Sequence, residues 1–154
     1  KLAIADTPYF LYSDFELRRR GNTYTAQTLS LLREEYREDT FYFIIGADSL
    51  YQIEQWFHPE LVMKLAVLLV AGRAYHDDHQ PFDRQIEYLT ARYGAKIYPI
   101  RCREMDVSSE EIRASVSNGH SIHGFVPDAV EEYIKDHGLY GGCVKNPVLA
   151  GKGE

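Results

Sequence analysis

The sequence predicts an α/β fold in which helices cover both faces of a doubly wound parallel sheet. Two apolar runs of strand length, over 41–45 and 66–70, and a third predicted strand over 95–100 alternate with helical segments along the chain. Continuous apolar runs are typical of strands that are buried on both faces. Strands separated by helices favour parallel βαβ units, because the helix returns the chain to the end of the sheet where the previous strand began. We therefore predict one domain of this class over 1–140.

Composition narrows the classes of protein to which the chain can belong. The 154 residues are 45% hydrophobic and 26% charged, which excludes a disordered chain. Seventeen Lys and Arg against 23 Asp and Glu give a net charge of -6, which argues against a nucleic-acid partner. No apolar run reaches the roughly 18 residues of a membrane span. The two cysteines are too few for a disulfide framework and favour a cytoplasmic location. Whether the protein is a homo-oligomer is left open.

Helical periodicity predicts a first helix over 25–38. Its apolar positions recur at intervals of four, three and four residues. The side-chain oxygen of Thr23 or Thr25 can cap its N-terminus. Before this helix, weak alternation of aromatic residues over 9–15 favours a strand. Two short helices are expected after the first apolar run, one over 48–56 and one that begins at Pro59.

Two more helices are predicted after the third strand. Ser108 and Glu111 have the S-x-x-E spacing of a capping box at a helix start. Pro127 suits the start of the next helix, and Gly138 suits its end. The last stretch, 141–154, contains four glycines and one proline, so we expect a loose tail.

The turn that follows the first apolar run is a candidate ligand site. In doubly wound sheets, ligands bind beyond the carboxyl ends of the strands and at helix N-termini. Gly46 lets the backbone approach a ligand closely. Asp48 can accept two hydrogen bonds from the hydroxyls of a ribose. The alternative is that Asp48 only caps the helix that follows.

A second turn offers donors for phosphate. Backbone N–H groups at a helix start attract anions, and the hydroxyls of Ser108 and Ser109 add donors there. Arg113, one helical turn further, can hold two phosphate oxygens with its planar guanidinium. The alternative, a capping box followed by one exposed arginine, stays open.

Arg73 and Trp56 complete the candidate set. Arg73 follows a buried strand across Gly72, where it either neutralises a ligand phosphate or is solvated. Trp56 is the one tryptophan of the sequence, and it either fills the core or offers a flat face to an aromatic ring. The histidines of 76–79 and 120–123 lie in polar loops with no second ligand set, so no metal site is predicted.

Taken together, these turns resemble those of the bacterial nicotinate mononucleotide adenylyltransferases. The motifs are S/T-Y-T-x-x-T-L, F-I-I-G-A-D and S-S-x-x-I-R, which occupy residues 23–29, 43–48 and 108–113. The resemblance extends over nearly the whole chain up to Tyr140. It implies a Rossmann-like nucleotidylyltransferase fold. It also implies an enzyme that transfers the adenylyl group of ATP to nicotinate mononucleotide, giving deamido-NAD and pyrophosphate, with Mg²⁺ accompanying ATP.

The resemblance also implies a role for each candidate residue. No residue is assigned as catalytic, because the H-x-G-H histidines expected of the family are absent from this sequence. The implied reaction needs positioning and charge stabilisation more than a nucleophile from the protein. The implied binding residues are Gly46 and Asp48 at the nucleotide ribose, Thr25 and Trp56 at the nicotinate, Arg73 at the mononucleotide phosphate, and Ser108, Ser109 and Arg113 at the ATP phosphates.

One departure from the family pattern concerns the start of the chain. The family begins with a strand and an H-x-G-H segment whose histidines contact ATP phosphates, and none of the six histidines here lies in such a motif. We therefore expect the first βα unit to be absent, and the chain to be an inactive piece of a longer enzyme. A sister enzyme such as phosphopantetheine adenylyltransferase and a non-catalytic nucleotide-binding module remain alternatives.

Overall fold

The computed structural model describes residues 1–71, 82–102 and 107–141. The chain forms two compact units, which we call the sheet unit (Asp14–Glu104) and the terminal unit (Lys1–Ser13 with Met105–Glu154). Among the described residues, no helix is long and apolar enough to cross a membrane. The predicted loose tail, apart from its first residue, lies outside the described residues.

The sheet unit contains three parallel strands. They are β1 (Phe41–Gly46), β2 (Ala66–Ala71) and β3 (Ile97–Ile100), hydrogen-bonded in the order β1-β2-β3. In the register, Phe43 lies opposite Leu68, and Leu68 lies opposite Ile97. The parallel pairing confirms the α/β class predicted from the apolar runs.

Four helices accompany these strands. They are α1 (Thr25–Glu35), α2 (Ala47–Gln52), α3 (Pro59–Leu65) and α4 (Phe82–Tyr93), and a 3-10 turn, Ile53–Gln55, lies between α2 and α3. Helix α1 packs on α3, and α4 contacts both α2 and α3. The start predicted at Pro59 is confirmed, but α1 ends before the predicted limit because Tyr36 leaves helical geometry (φ -119°, ψ 71°).

The helices bury one face of the sheet. Ile45, Leu68 and Val70 are at most 6% exposed and pack with Leu50 of α2 and Leu89 of α4. On the other face, Tyr42 and Ile44 of β1 are 62% and 65% exposed. The prediction that this strand is buried on both faces is therefore wrong. An apolar run reveals that a strand is apolar, but it does not reveal which of its two faces the neighbouring elements cover.

The strand predicted over 9–15 is also absent. Tyr9 and Leu11 are 80% and 92% exposed, and the amide of Phe10 donates to the carbonyl of Thr7 in a turn. The alternation was weak, and among the described strands none pairs with this segment.

The terminal unit contains α5 (Ser109–Ser117) and α6 (Asp128–Asp136), both of which the sequence predicted. Pro127 is the N-cap of α6, and Gly138 follows its end with a left-handed φ of 57°. Glu131 of α6 is buried at 6% exposure, and its Oε1 accepts hydrogen bonds from the Ser121 hydroxyl and the Ile122 amide. This carboxylate ties the loop before α6 to the helix.

Candidate substrate-binding site

The turn between β1 and α2 presents Asp48 to solvent. Gly46 is the N-cap of α2 in extended geometry (φ -79°), and a Cβ there would meet no atom within 4 Å. Ala47, only 4% exposed, anchors the turn in the core. No side chain caps α2, so the alternative that Asp48 only serves as a cap is wrong. Within the described ranges Asp48 makes no hydrogen bond or ion pair, so both of its carboxylate oxygens can accept hydrogen bonds.

Thr25 is the first residue of α1 and is half-buried. The N-cap is Tyr24, with no side-chain hydrogen bond, so the prediction that Thr23 or Thr25 caps this helix is wrong. No acidic residue lies in the first turn. The first N–H groups of a helix have no partner within the helix, and the helix dipole makes this end positive. The start of α1 therefore offers backbone donors suited to an anion.

Trp56 ends the 3-10 turn that follows α2. Its amide donates to the carbonyl of Ile53 (3.1 Å), and Ile53 is fully buried. The indole is half-buried and meets the Phe43 ring edge to face, with 6.2 Å between ring centroids. One portion of the ring packs on the core, as the first interpretation predicted, and the remainder is accessible. Stacking of this tryptophan on an aromatic ligand stays a prediction.

A stacked aromatic pair joins the segments that carry Thr25 and Trp56. The rings of Tyr24 and Phe57 lie 4.4 Å apart between centroids at an angle of 30°. Tyr24 precedes Thr25, and Phe57 follows Trp56, so the stack brings together the chain segments of both residues predicted to contact nicotinate. Sequence reasoning did not identify this pair, because the two aromatic residues are distant in sequence.

Sequence reasoning also did not identify Glu54, whose carboxylate lies two residues before Trp56 in the chain. Glu54, in the 3-10 turn, accepts hydrogen bonds at Oε1 from the hydroxyls of Tyr93 (2.7 Å) and Tyr88 (3.2 Å) on α4. The hydrogen bond to Glu54 raises the pKa of the Tyr93 hydroxyl above its ordinary value of 10.0, and burial acts in the same direction. The guanidinium of Arg92 lies 3.5 Å from the same oxygen.

The start of α5 is a complete capping box. The Ser108 hydroxyl accepts from the Glu111 amide (3.1 Å), and the Ser108 amide donates to the Glu111 carboxylate (2.7 Å). The predicted capping box is thus confirmed. The hydroxyl of Ser108 keeps its own hydrogen for a further acceptor. Ser109 and Arg113 are exposed and lie four residues apart, so they share one face of α5.

Two further points concern the candidate residues and metal ligands. Arg73 lies outside the described residues. Among the residues that are described, His123, Asp128 and Glu131 bring potential metal ligands within 4.8 Å of one another. The ammonium of Lys135 lies 2.8 Å from Glu131 Oε1 and supplies positive charge there, so we assign no metal to this group.

A cavity of about 350 Å³ opens between α1 and the start of α3. No residue predicted to bind substrate lines it. The guanidinium of Arg19 at its wall donates to Gln27 (2.8 Å) and Thr28 (3.2 Å). The lining residues are Arg19, Ala26, Gln27, Ser30, Leu31, Phe57, His58 and Leu61.

The parallel sheet with its flanking helices is a Rossmann-like α/β arrangement, and solved structures share this fold. Nicotinic acid mononucleotide adenylyltransferase of Plasmodium falciparum, complexed with APC, aligns with a TM-score of 0.60 at 21% identity. The alignment covers 82% of this chain and 62% of the solved chain. The complex of the same enzyme with NaAD gives a TM-score of 0.60 at 20% identity, covering 80% and 60% of the two chains. No family model matches the chain.

Curated bacterial proteins are similar at the level of sequence. A probable nicotinate-nucleotide adenylyltransferase of Lachnoclostridium phytofermentans is 47% identical over 140 residues, which cover 91% of this chain and 70% of that protein. Its counterpart in Syntrophotalea carbinolica is 37% identical over 151 residues, covering 90% and 69%. The chain belongs to the nicotinate-nucleotide adenylyltransferase family. This membership confirms the resemblance found in the sequence and the class of enzyme that it implied.

Proposed function

We propose that the protein transfers the adenylyl group of ATP to nicotinate mononucleotide, releasing pyrophosphate and giving deamido-NAD. The observation that carries this proposal is the 47% identity, over 91% of the chain, to a curated protein named for that reaction. The stacked pair Tyr24 and Phe57 supports it, because it joins the two segments expected to hold nicotinate. We also propose a cytoplasmic location, where ATP is available.

The acceptor would be held by the sheet unit. The accessible part of the Trp56 ring would stack on the pyridine ring, as aromatic rings do at offset-stacked distances. Thr25 and the uncapped amides at the start of α1 would receive the nicotinate carboxylate, because this end of the helix is positive. Arg73 would offset the charge of the mononucleotide phosphate.

Contacts to ATP are proposed for each unit by itself. Gly46 leaves room for the ribose, and Asp48 would accept its two hydroxyl hydrogen bonds. Ser108, Ser109 and Arg113 would bind the phosphates through hydroxyl and guanidinium donors. Mg²⁺ would arrive with the nucleotide as part of the substrate, because Mg²⁺ at such sites is bound largely by substrate phosphates.

The reaction is a displacement at the α-phosphorus of ATP. A phosphate oxygen of nicotinate mononucleotide forms the new bond, and the bond from the α-phosphorus to the bridging oxygen breaks. Pyrophosphate leaves with that electron pair. The chain's residues would bind the two anionic substrates and offset the charge that develops on the oxygens around the α-phosphorus. Such positioning and charge stabilisation supply most of the rate in phosphoryl transfer.

Substrate choice tests the proposal. The protein as encoded by its gene is mixed with magnesium–ATP and one of three acceptors, namely nicotinate mononucleotide, nicotinamide mononucleotide or phosphopantetheine. Pyrophosphate release is measured, and the nucleotide product is identified by mass. We expect deamido-NAD to form with the first acceptor. Preferred turnover of phosphopantetheine would replace the proposal with the sister activity, and binding of ATP without turnover of any acceptor would indicate a nucleotide-binding module.

A further inference from the structure

The position of Trp56 depends on the 3-10 turn that precedes it. One side of this turn is fixed by Ile53, which is fully buried in the core. The amide of Trp56 closes the turn on the Ile53 carbonyl. The other side is fixed by the Glu54 carboxylate, which accepts hydrogen bonds from two tyrosines of α4. The turn is therefore held between the core and α4.

The contacts of Glu54 converge on one oxygen. Tyr93 and Tyr88 both donate to Oε1, and Arg92 approaches the same atom at 3.5 Å. The guanidinium of Arg92 also lies over both rings, 5.3 Å from the Tyr93 centroid and 5.7 Å from that of Tyr88. It donates to the Tyr88 hydroxyl as well. The two hydroxyls and the guanidinium thus hold the carboxylate in a single orientation.

We propose that Glu54 is a positioning residue for nicotinate mononucleotide, which acts by holding the turn that presents the Trp56 ring. The inference rests on the proposed function, in which that ring stacks on the pyridine. An accessible indole loses conformational entropy when a ligand fixes its orientation. Holding the ring in that orientation before binding reduces this entropic cost. Glu54 precedes Trp56 by two residues, and the proposal gives it no contact with substrate.

The exposure of the cluster separates positioning from global stability. The side chains of Glu54 and Arg92 are 31% and 57% exposed. Polar contacts at this exposure contribute little to the stability of the folded state. The loss of this cluster should therefore change the orientation of the turn more than it changes the melting temperature.

The test uses Trp56 as its own reporter, because it is the one tryptophan of the sequence. Three variants remove parts of the cluster: Glu54→Ala removes the acceptor, Glu54→Gln keeps one amide oxygen, and Tyr93→Phe removes one hydroxyl. Tyr98→Phe is the matched control, since Tyr98 lies on β3 and is 56% exposed. Michaelis constants for both substrates are measured with Trp56 emission and its quenching by acrylamide.

We expect Glu54→Ala to raise the KM for nicotinate mononucleotide about three- to tenfold, while the KM for ATP changes less than about twofold. Its Trp56 emission should shift to longer wavelength and be quenched more readily. Tyr93→Phe should act in the same direction, Glu54→Gln should be intermediate, and Tyr98→Phe should match the unmodified protein. Tyr93→Phe removes a single oxygen atom, so it carries the test if Glu54→Ala does not fold.

Two results would overturn the inference, and they differ from a failure of the proposed function. Unchanged Trp56 emission and an unchanged KM in Tyr93→Phe and Glu54→Gln would show that the cluster does not hold the turn. An equal rise in the KM for both substrates would show a general structural role. The proposed function fails separately, when the unmodified protein does not turn over nicotinate mononucleotide.

Discussion

Asp48 has an exposed carboxylate in the turn after β1. It lies in the first turn of α2, exposed, with no capping role. We predict that Asp48→Asn lowers kcat/KM for ATP about ten- to hundredfold, because an amide replaces one of the two oxygens proposed to accept ribose hydroxyls and removes the negative charge. The melting temperature should change little, since no described contact is lost. Steady-state kinetics and thermal unfolding measure the two effects.

Asp83 provides the control for this substitution. It is the second residue of α4, as Asp48 is the second residue of α2, and it is also exposed. Asp83→Asn makes the same change of charge at the same helical position, so it should leave kcat/KM within about twofold of the unmodified value. Equal losses in the two variants would show that the carboxylate at position 48 has no specific role.

Sequence reasoning selected candidate side chains that can be recognised from their residue type and their neighbours in the chain. Asp48 and Trp56 stand out by residue type and by position after an apolar run. The roles of Tyr24 and Glu54 depend on contacts with residues far along the chain, such as the hydroxyl of Tyr93. No spacing rule predicts such pairs, because they arise only when the helices pack.

At the scale of the element, Ser108 caps the start of α5 and is also proposed to bind the phosphates of ATP. We predict that Ser108→Ala lowers the free energy of unfolding by about 1 kcal/mol, as is typical for loss of a capping hydroxyl. It should also raise the KM for ATP, because a donor proposed to hold phosphate is removed. Chemical denaturation and kinetics measure these losses separately.

Ser108→Asp separates capping from phosphate binding. Aspartate caps a helix about as well as serine, so stability should return to the value of the unmodified protein. The KM for ATP should remain high, because a carboxylate repels phosphate and has no hydrogen to donate. Recovery of both stability and KM would mean that Ser108 acts only as the cap of α5.

The junction between α6 and the loop before it should be sensitive to acid. The hydrogen bond from Lys135, followed by that from Ser121, lowers the pKa of Glu131 below its ordinary value of 4.5. Because the folded pKa is the lower one, the stabilisation is complete above the ordinary value and is lost as the pH falls through the folded value. His123 and Asp128 also face this carboxylate.

We therefore predict that Glu131→Gln lowers the melting temperature at about pH 7, and that its difference from the unmodified protein shrinks toward zero near pH 3. Glu132→Gln is the matched control, since Glu132 is the next residue of α6 and is exposed. It should melt close to the unmodified protein throughout the range. A difference for Glu131→Gln that stays constant with pH would contradict the assignment.

The elements that the sequence predicted correctly had strong local signals, but one strong signal was missed and one weak signal was misleading. The first two strands follow from apolar runs, and α5 follows from its capping box. Helix α4 is absent from the predicted elements, although Phe82, Ile86, Leu89 and Tyr93 recur at intervals of four, three and four residues. The strand expected over 9–15 rested on weak alternation. A strand also needs a partner, which alternation alone does not provide.

At the scale of the whole molecule, the negative net charge opposes binding of the proposed substrates only if charge is averaged over the surface. The net charge is -6, while ATP and nicotinate mononucleotide are both anions. The Debye length is about 8 Å at physiological salt, so exposed charges further away than that are largely screened. Binding of an anion therefore depends on the few cations and donors close to it, rather than on the sum over the chain.

Arg113 and Arg37 distinguish local charge from net charge. Arg113→Gln and Arg37→Gln each make the net charge one unit more negative. Arg37 follows the end of α1, an 11-residue helix, and Thr25 lies at the opposite end of that helix, so Arg37 has no proposed contact with substrate. We predict that Arg113→Gln raises the KM for ATP about ten- to hundredfold, whereas Arg37→Gln changes it less than about twofold. Arg113→Lys should recover part of the loss, because lysine keeps the charge without the planar pair of donors. Equal effects of the two glutamine variants would mean that the net charge, and not the guanidinium on α5, governs the affinity for ATP.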